Sequence, residues 1–122
     1  MSRVDVFYFR EDDHTVPMNR WLDEIPAKAQ QKCLARLRRL EELGHELRRP
    51  EADYLRDEIY ELRASYQGIH YRMLYFFNGR TAVVVSHGIV KESAVPIREI
   101  DLAVRRKRTF ESNPAKHGFQ GR

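Results

Sequence analysis

Glu58–Lys91 reads EIYELRASYQGIHYRMLYFFNGRTAVVVSHGIVK. Three β-favouring runs stand in it, Ile59–Ala64, Ile69–Phe77 and Thr81–His87, separated by Gln67-Gly68 and Asn78-Gly79. Asn-Gly between apolar runs is a strong hairpin signal, because both central residues of a type I′ turn need positive φ. The spacing therefore predicts a three-stranded antiparallel meander. Side chains alternate across a strand, so Ile69, Tyr71, Met73, Tyr75 and Phe77 share one face and His70, Arg72, Leu74 and Phe76 the other. On the preceding strand Tyr60 and Leu62 fit the first face and Ile59, Glu61 and Arg63 the second. A sheet expected to bury apolar side chains thus carries cations on every strand: Arg63, His70, Arg72, His87 and Lys91 at the exit.

Upstream of the meander, Val4–Arg10 (VDVFYFR) reads as a strand. Thr15 as N-cap and Pro17 in the first turn open a short helix with Met18, Trp21, Leu22 and Ile25 on one face. Pro26 separates it from a second helix, Ala27 to Leu43, which ends at Gly44. Leu47 to Tyr54 reads as a loop. Downstream, Pro96 opens a third helix with Ile97, Ile100, Ala103 and Val104 on one face, ending in Arg105-Arg106-Lys107-Arg108. The order β-α-α-β-β-β-α predicts an α+β fold: a mostly antiparallel sheet with two helices on one face, a C-terminal helix, and the other face open. Residues 1–110 form the expected single domain and 111–122, without periodicity, a flexible tail.

Composition narrows the class. A chain of 122 residues with 42% apolar and 11% aromatic side chains can fold around a small core. No apolar run approaches the roughly 20 residues needed to span a bilayer, and the N-terminus has no apolar stretch of secretory type. Cys33 is the only cysteine, and no Cys/His group has zinc-ligand spacing, so a reducing cytoplasm is expected. The net charge is +4. After residue 62 the only acids are Glu92, Glu99, Asp101 and Glu111, which makes the second half the basic half. That balance permits phosphate binding without requiring it.

Each candidate residue has a structural and a functional interpretation. Arg63 and Arg72 fit a solvated sheet face, or a phosphate site with Glu61 ion-paired to one of them. Phe76 and Leu74 on the same face favour a partner there, with Phe76 as a ring on which a base could stack. His87 is either a structural hydrogen-bonder or a catalyst, and Gly88 after it marks a bulge or a close backbone approach. Arg105, Arg106, Lys107 and Arg108 either complement a helix end or contact phosphate. Cys33 lies at core spacing.

Together these segments resemble a known family. Glu61-Leu62-Arg63, Tyr71-Arg72-Met73-Leu74-Tyr75-Phe76, Val83-Val84-Val85-Ser86-His87-Gly88, then Lys91, Pro96, Glu99 and Ala103 are similar to the RelE/ParE superfamily of bacterial toxins, in its phage-derived HigB-like branch. The resemblance covers roughly Val4 to Arg108. Ile89 stands where that pattern has Phe, and Glu92 where a second Lys is common. It implies the toxin of a type II toxin–antitoxin pair that cleaves mRNA on the ribosome without a metal or other cofactor. Its partners would be a cognate antitoxin, a small helix-turn-helix protein, together with ribosome and mRNA. DNA would be reached only through the antitoxin, and no membrane is involved. Arg63, Arg72 and Lys91 match the family's functional basic positions.

Cleavage by the 2′-OH gathers charge on phosphate oxygens, which fixed guanidinium groups stabilise. Arg63 and Arg72 suit that task and, being always charged, cannot act as the base. Lys91, His70 and His87 remain open for that role, with His70, Phe76 and the Arg105–Arg108 run as RNA contacts. A ParE-like gyrase inhibitor and a non-catalytic binding module are the competing functions.

Overall fold

In the computed structural model, which describes residues 3–120, the meander anchors a six-stranded sheet. The elements are β1 (Asp5–Phe9), α1 (Pro17–Glu24), α2 (Ala27–Leu43), a short 3-10 turn at Gly44–Glu46, β2 (Ala52–Arg56), β3 (Ile59–Tyr66), β4 (Ile69–Asn78), β5 (Ala82–Val90), α3 (Ile97–Ser112), α4 (Pro114–His117) and β6 (Gly118–Phe119). The sheet order is β2-β3-β4-β5-β1-β6. All pairings are antiparallel except β1 with β5. The α+β class and the mostly antiparallel sheet are as the sequence predicts.

The turns differ in detail. The two-residue loops with positive φ at both positions are Gln67-Gly68 (52° and 79°) and Asp57-Glu58 (50° and 65°). Asn78 instead ends β4 opposite Ala82, and of the Asn78-Gly79 pair only Gly79 has positive φ, 67°. Val16 rather than Thr15 caps α1; Thr15 donates both its N–H (3.0 Å) and its hydroxyl (2.7 Å) to Asp13 Oδ1. Residues 52–54, expected in a loop, begin edge strand β2.

Two apolar layers sandwich the sheet. On one face Met18, Leu22, Cys33, Leu37 and Leu40 of α1 and α2 pack on Leu62, Tyr71, Met73 and Tyr75. Burial pushes the Cys33 thiol up to about 12, as befits a core residue. On the other face Ile100, Ala103 and Phe110 of α3 cover Phe9, Ile59, Leu74, Phe76 and Val84. The face expected to be open is therefore half closed. A period-3.6 apolar stripe on α3 has to bury against something, and Leu74 and Phe76 are what it finds.

The tail carries elements of its own over 113–119. The Asn113 side chain accepts from the Lys116 N–H at 3.3 Å, and β6 pairs with β1 through Tyr8↔Phe119 and Phe9↔Gly118. Arg10 Nε donates to the Lys116 carbonyl (2.8 Å), and the His117 ring stacks on Phe9 at 5.6 Å. Ring stacking and side-chain capping have no sequence period, which is why a periodicity scan passes over them.

Gly88 is a close-approach position. A Cβ there would lie 2.2 Å from Trp21 Cε3, inside a ring that the core side of the sheet holds in place. Gly88→Ala is expected to lower stability by about 1–3 kcal/mol through overpacking, read as a lower urea midpoint with an unchanged m-value.

Candidate functional site

The β3–β4 register sets Arg63 opposite Arg72, Ser65 opposite His70 and Glu61 opposite Leu74. All of these side chains alternate onto the α3 face of the sheet. Because α3 covers the Ile59–Leu74–Phe76 end, the Arg63–Arg72 end stays uncovered. There a cleft of about 800 Å³ opens, lined by Arg36, Glu51, Arg63, Ser65, His70, Arg72 and Glu92 among others.

The charges in it are ordered by depth. Glu61 lies at the bottom, 4% exposed. Its Oε1 accepts from Arg72 and its Oε2 accepts from Arg63 at 3.1 Å. Arg63 also donates to Asp53 Oδ2 at 3.2 Å, and Arg72 Nε to the Lys91 carbonyl at 3.2 Å. The Glu61 carboxylate holds the Arg63 guanidinium above its usual pKa. From α2, Arg36 and Arg39 both bind Glu51. Their hydrogen bonds, that of Arg39 first, draw the Glu51 carboxyl down to about 2. The side chains of Arg36 and Arg63 are about a third exposed, against 5% for Glu61. Glu61 thus lies beneath, Arg36 and Arg63 face outward, Arg72 is 14% exposed, and the exposed Glu92 stands in the wall; the held guanidinium groups present fixed positive charge to an anion.

The remaining candidates separate by location. His70 is exposed and lines the cleft. Lys91 is exposed at the exit of β5, with its N–H bonded to the His70 carbonyl at 3.1 Å. Phe76, expected to offer its ring to a base, is 1% exposed and packs edge-on against Phe110 at 5.8 Å, so it is core. The Arg105–Arg108 run lies outside the cleft. Arg106 is bound to Glu11 at 2.9 Å and lies over the Phe9 ring, Lys107 pairs with Glu111 at 3.0 Å, and Arg105 and Arg108 are exposed.

His87 lies apart from the cleft. The register slips between Leu74↔His87 and Tyr75↔Val85, a bulge that places His87 under α3. Its Nδ1 meets Ser86 Oγ at 2.7 Å and its Nε2 meets Glu99 Oε1 at 2.9 Å. Burial pushes its pKa below the ordinary imidazole value, which marks a structural clasp between β5 and α3.

A pH effect follows from that burial. Above about pH 6.5 the ring is neutral in both folded and unfolded chains. Below it the unfolded chain takes up a proton that the buried ring resists. Stability therefore falls with pH, by up to about 1.4 kcal/mol per unit, until the lowered folded value is reached. Urea unfolding between about pH 7.5 and pH 5.5 is expected to show this slope, and His87→Gln to remove its share of it.

Three participants were not singled out from sequence. Glu61 was expected to pair with one arginine, and the register gives it both. Arg36, Glu51 and Asp53 come together only through the packing of α2 against the chain entering β2, which no local pattern records.

The chain is thus a three-layer α/β/α arrangement whose one sheet face ends in a guanidinium-lined cleft. The chain belongs to the phage derived protein Gp49-like family (DUF891), whose model matches residues 20–108. That match spans every residue named in the cleft, and the family is of toxin–antitoxin toxin type. No curated protein matches the chain. Among the described residues no helix is long and apolar enough to cross a membrane, and no group of three or more His, Cys, Asp or Glu side chains could hold a metal ion.

Proposed function

We propose that this protein is the toxin of a type II toxin–antitoxin pair, of the HigB-like branch, and a ribosome-dependent, metal-independent mRNA endoribonuclease. The observation that carries this is the cleft lined by Arg36, Arg63 and Arg72, the last two both held by the buried Glu61. A phosphodiester placed there would meet charge that needs no reorganisation as the reaction proceeds.

The 2′-oxygen forms a bond to the adjacent phosphorus while the bond from phosphorus to the 5′-oxygen breaks. A base takes the 2′ proton, and an acid returns one to the leaving oxygen. The products are a 2′,3′-cyclic phosphate and a 5′-hydroxyl. Arg72, gripped by Glu61 and the Lys91 carbonyl, is the rigid oxyanion partner, and Arg63 the second. Histidine has the ordinary pKa closest to neutrality, and His70 is the histidine in the cleft. His70 is thus the leading proton-transfer group, with Lys91 at the rim as the other. His87, neutral and fully engaged beneath α3, drops out of that role. The cognate antitoxin, a small helix-turn-helix protein, would hold the toxin silent in the cytoplasm.

Inducing the protein and mapping mRNA 5′ ends alongside plasmid supercoiling tests this. Codon-phased cuts confined to translated messages are the expected result. Altered supercoiling with intact transcripts would assign a gyrase-directed poison instead, and neither effect would leave a binding module.

A further inference from the structure

A second groove, of about 460 Å³, opens on the opposite side of edge strand β2, with Tyr54, Tyr60 and His45 in its wall and Arg48 and Arg49 at its rim. Nothing in the function proposed above uses it. Tyr54 is 50% exposed, large for a tyrosine in a strand, yet its ring is fixed. It meets Tyr60 edge-on at 5.2 Å, and its hydroxyl accepts the Glu58 N–H at 3.1 Å. Tyr60 in turn stacks on Tyr75 at 5.4 Å. The shelf is rigid before any ligand arrives, which lowers the ordering cost of binding.

The groove is also joined to the cleft. Asp53, the neighbour of Tyr54 on β2, lines the groove and reaches Arg63 of the cleft. Its Oδ2 contacts Arg63 at 3.2 Å and Arg49 Nε at 3.0 Å. One carboxylate oxygen therefore holds a cleft guanidinium and a groove guanidinium side by side across the sheet edge. The pairing also draws the Asp53 carboxyl below its ordinary value, chiefly through Arg49.

From this we infer a nucleobase subsite: an RNA strand with its scissile phosphate at Arg63 and Arg72 passes over β2, sets a flanking phosphate on Arg49, and stacks that nucleotide's base on Tyr54. Aromatic rings with flanking cations are how single strands are held. A stacking shelf reads ring size more than hydrogen-bonding edges, so the expected preference is purine over pyrimidine at the flanking position.

The inference rests on the endoribonuclease reading, and one experiment separates the two. Wild type, Tyr54→Ala, Tyr54→Phe and Arg72→Ala are added to a cell-free translation reaction, and 5′ ends on a reporter mRNA are mapped and quantified. Tyr54→Ala is expected to cut about 5- to 100-fold more slowly at subsaturating message, with the flanking-base preference flattened and the melting temperature kept. Tyr54→Phe, which retains the ring, restores both rate and preference. If Tyr54→Ala cuts at the wild-type rate with the wild-type preference while Arg72→Ala does not cut, the subsite is overturned and the nuclease stands. Unchanged cutting by Tyr54→Ala together with lost antitoxin binding would assign the groove to the protein partner, again overturning the subsite. If wild type leaves the message intact, both fall.

Discussion

Arg72→Ala is expected to lower mRNA cutting by about 100- to 1,000-fold, the cost of removing one preorganised oxyanion donor, and with it growth arrest. The folded state should survive, because Glu61 keeps its bond to Arg63 at 3.1 Å and the substitution leaves no carboxylate unpaired. Arg72→Lys should not restore the rate. One guanidinium reaches Glu61 and the Lys91 carbonyl at once, whereas an ammonium is a point charge without that fork. Single-turnover cutting at saturating protein separates this loss from one of affinity, and far-ultraviolet circular dichroism with antitoxin binding verifies the fold. Wild-type growth arrest by the alanine variant would move the site elsewhere.

The largest stability effect belongs to Glu61. Arg72 is only 14% exposed at its side chain, and Glu61 is its carboxylate partner. Removing one member of a buried pair leaves the other charge uncompensated, which costs about 3–5 kcal/mol. Arg63 softens the loss because Asp53 still holds it at 3.2 Å, so Glu61→Ala is expected near the lower end, about 3 kcal/mol. That is a large share of the roughly 5–15 kcal/mol that keeps a domain folded. Glu61→Gln keeps an acceptor without the charge and should cost less. Urea unfolding of the two variants measures the difference. Both should also cut more slowly, because the arginines they release are no longer fixed. A Glu61→Ala protein as stable as wild type would show that Glu61 does not anchor the pair.

What the sequence disclosed and what it withheld divide along local and non-local lines. Strand alternation sorted Tyr71, Met73 and Tyr75 from Arg72 and Leu74, and Pro26 and Pro96 marked where helices start, because each of these is a property of neighbours in the chain. Gly88 announced a close approach, although only the fold shows that Trp21 is what approaches it. Edge strand β2 escaped because its turn uses Asp57 and Glu58 at positive φ, where a glycine would have signalled a hairpin. Alternation puts Phe76 on the open face, because nothing in the order of elements says where α3 lies. Its Phe110 contact joins residues 34 positions apart in sequence. In the cleft, the cations of β3 and β4 were legible as a shared face. The carboxylates beneath them, and the contribution of Arg36 from α2, depend on register and helix packing.

The chemical nature of the cut ends tests the central claim most directly. Purified protein is added to translating ribosomes and the 3′ ends of the upstream fragments are analysed. Attack by the 2′-OH in an arginine-lined cleft predicts 2′,3′-cyclic phosphate, or the 3′-phosphate formed from it by hydrolysis, with 5′-hydroxyl on the downstream fragment. Fragments ending in 3′-hydroxyl with 5′-phosphate, or uncut message under full translational arrest, would contradict it.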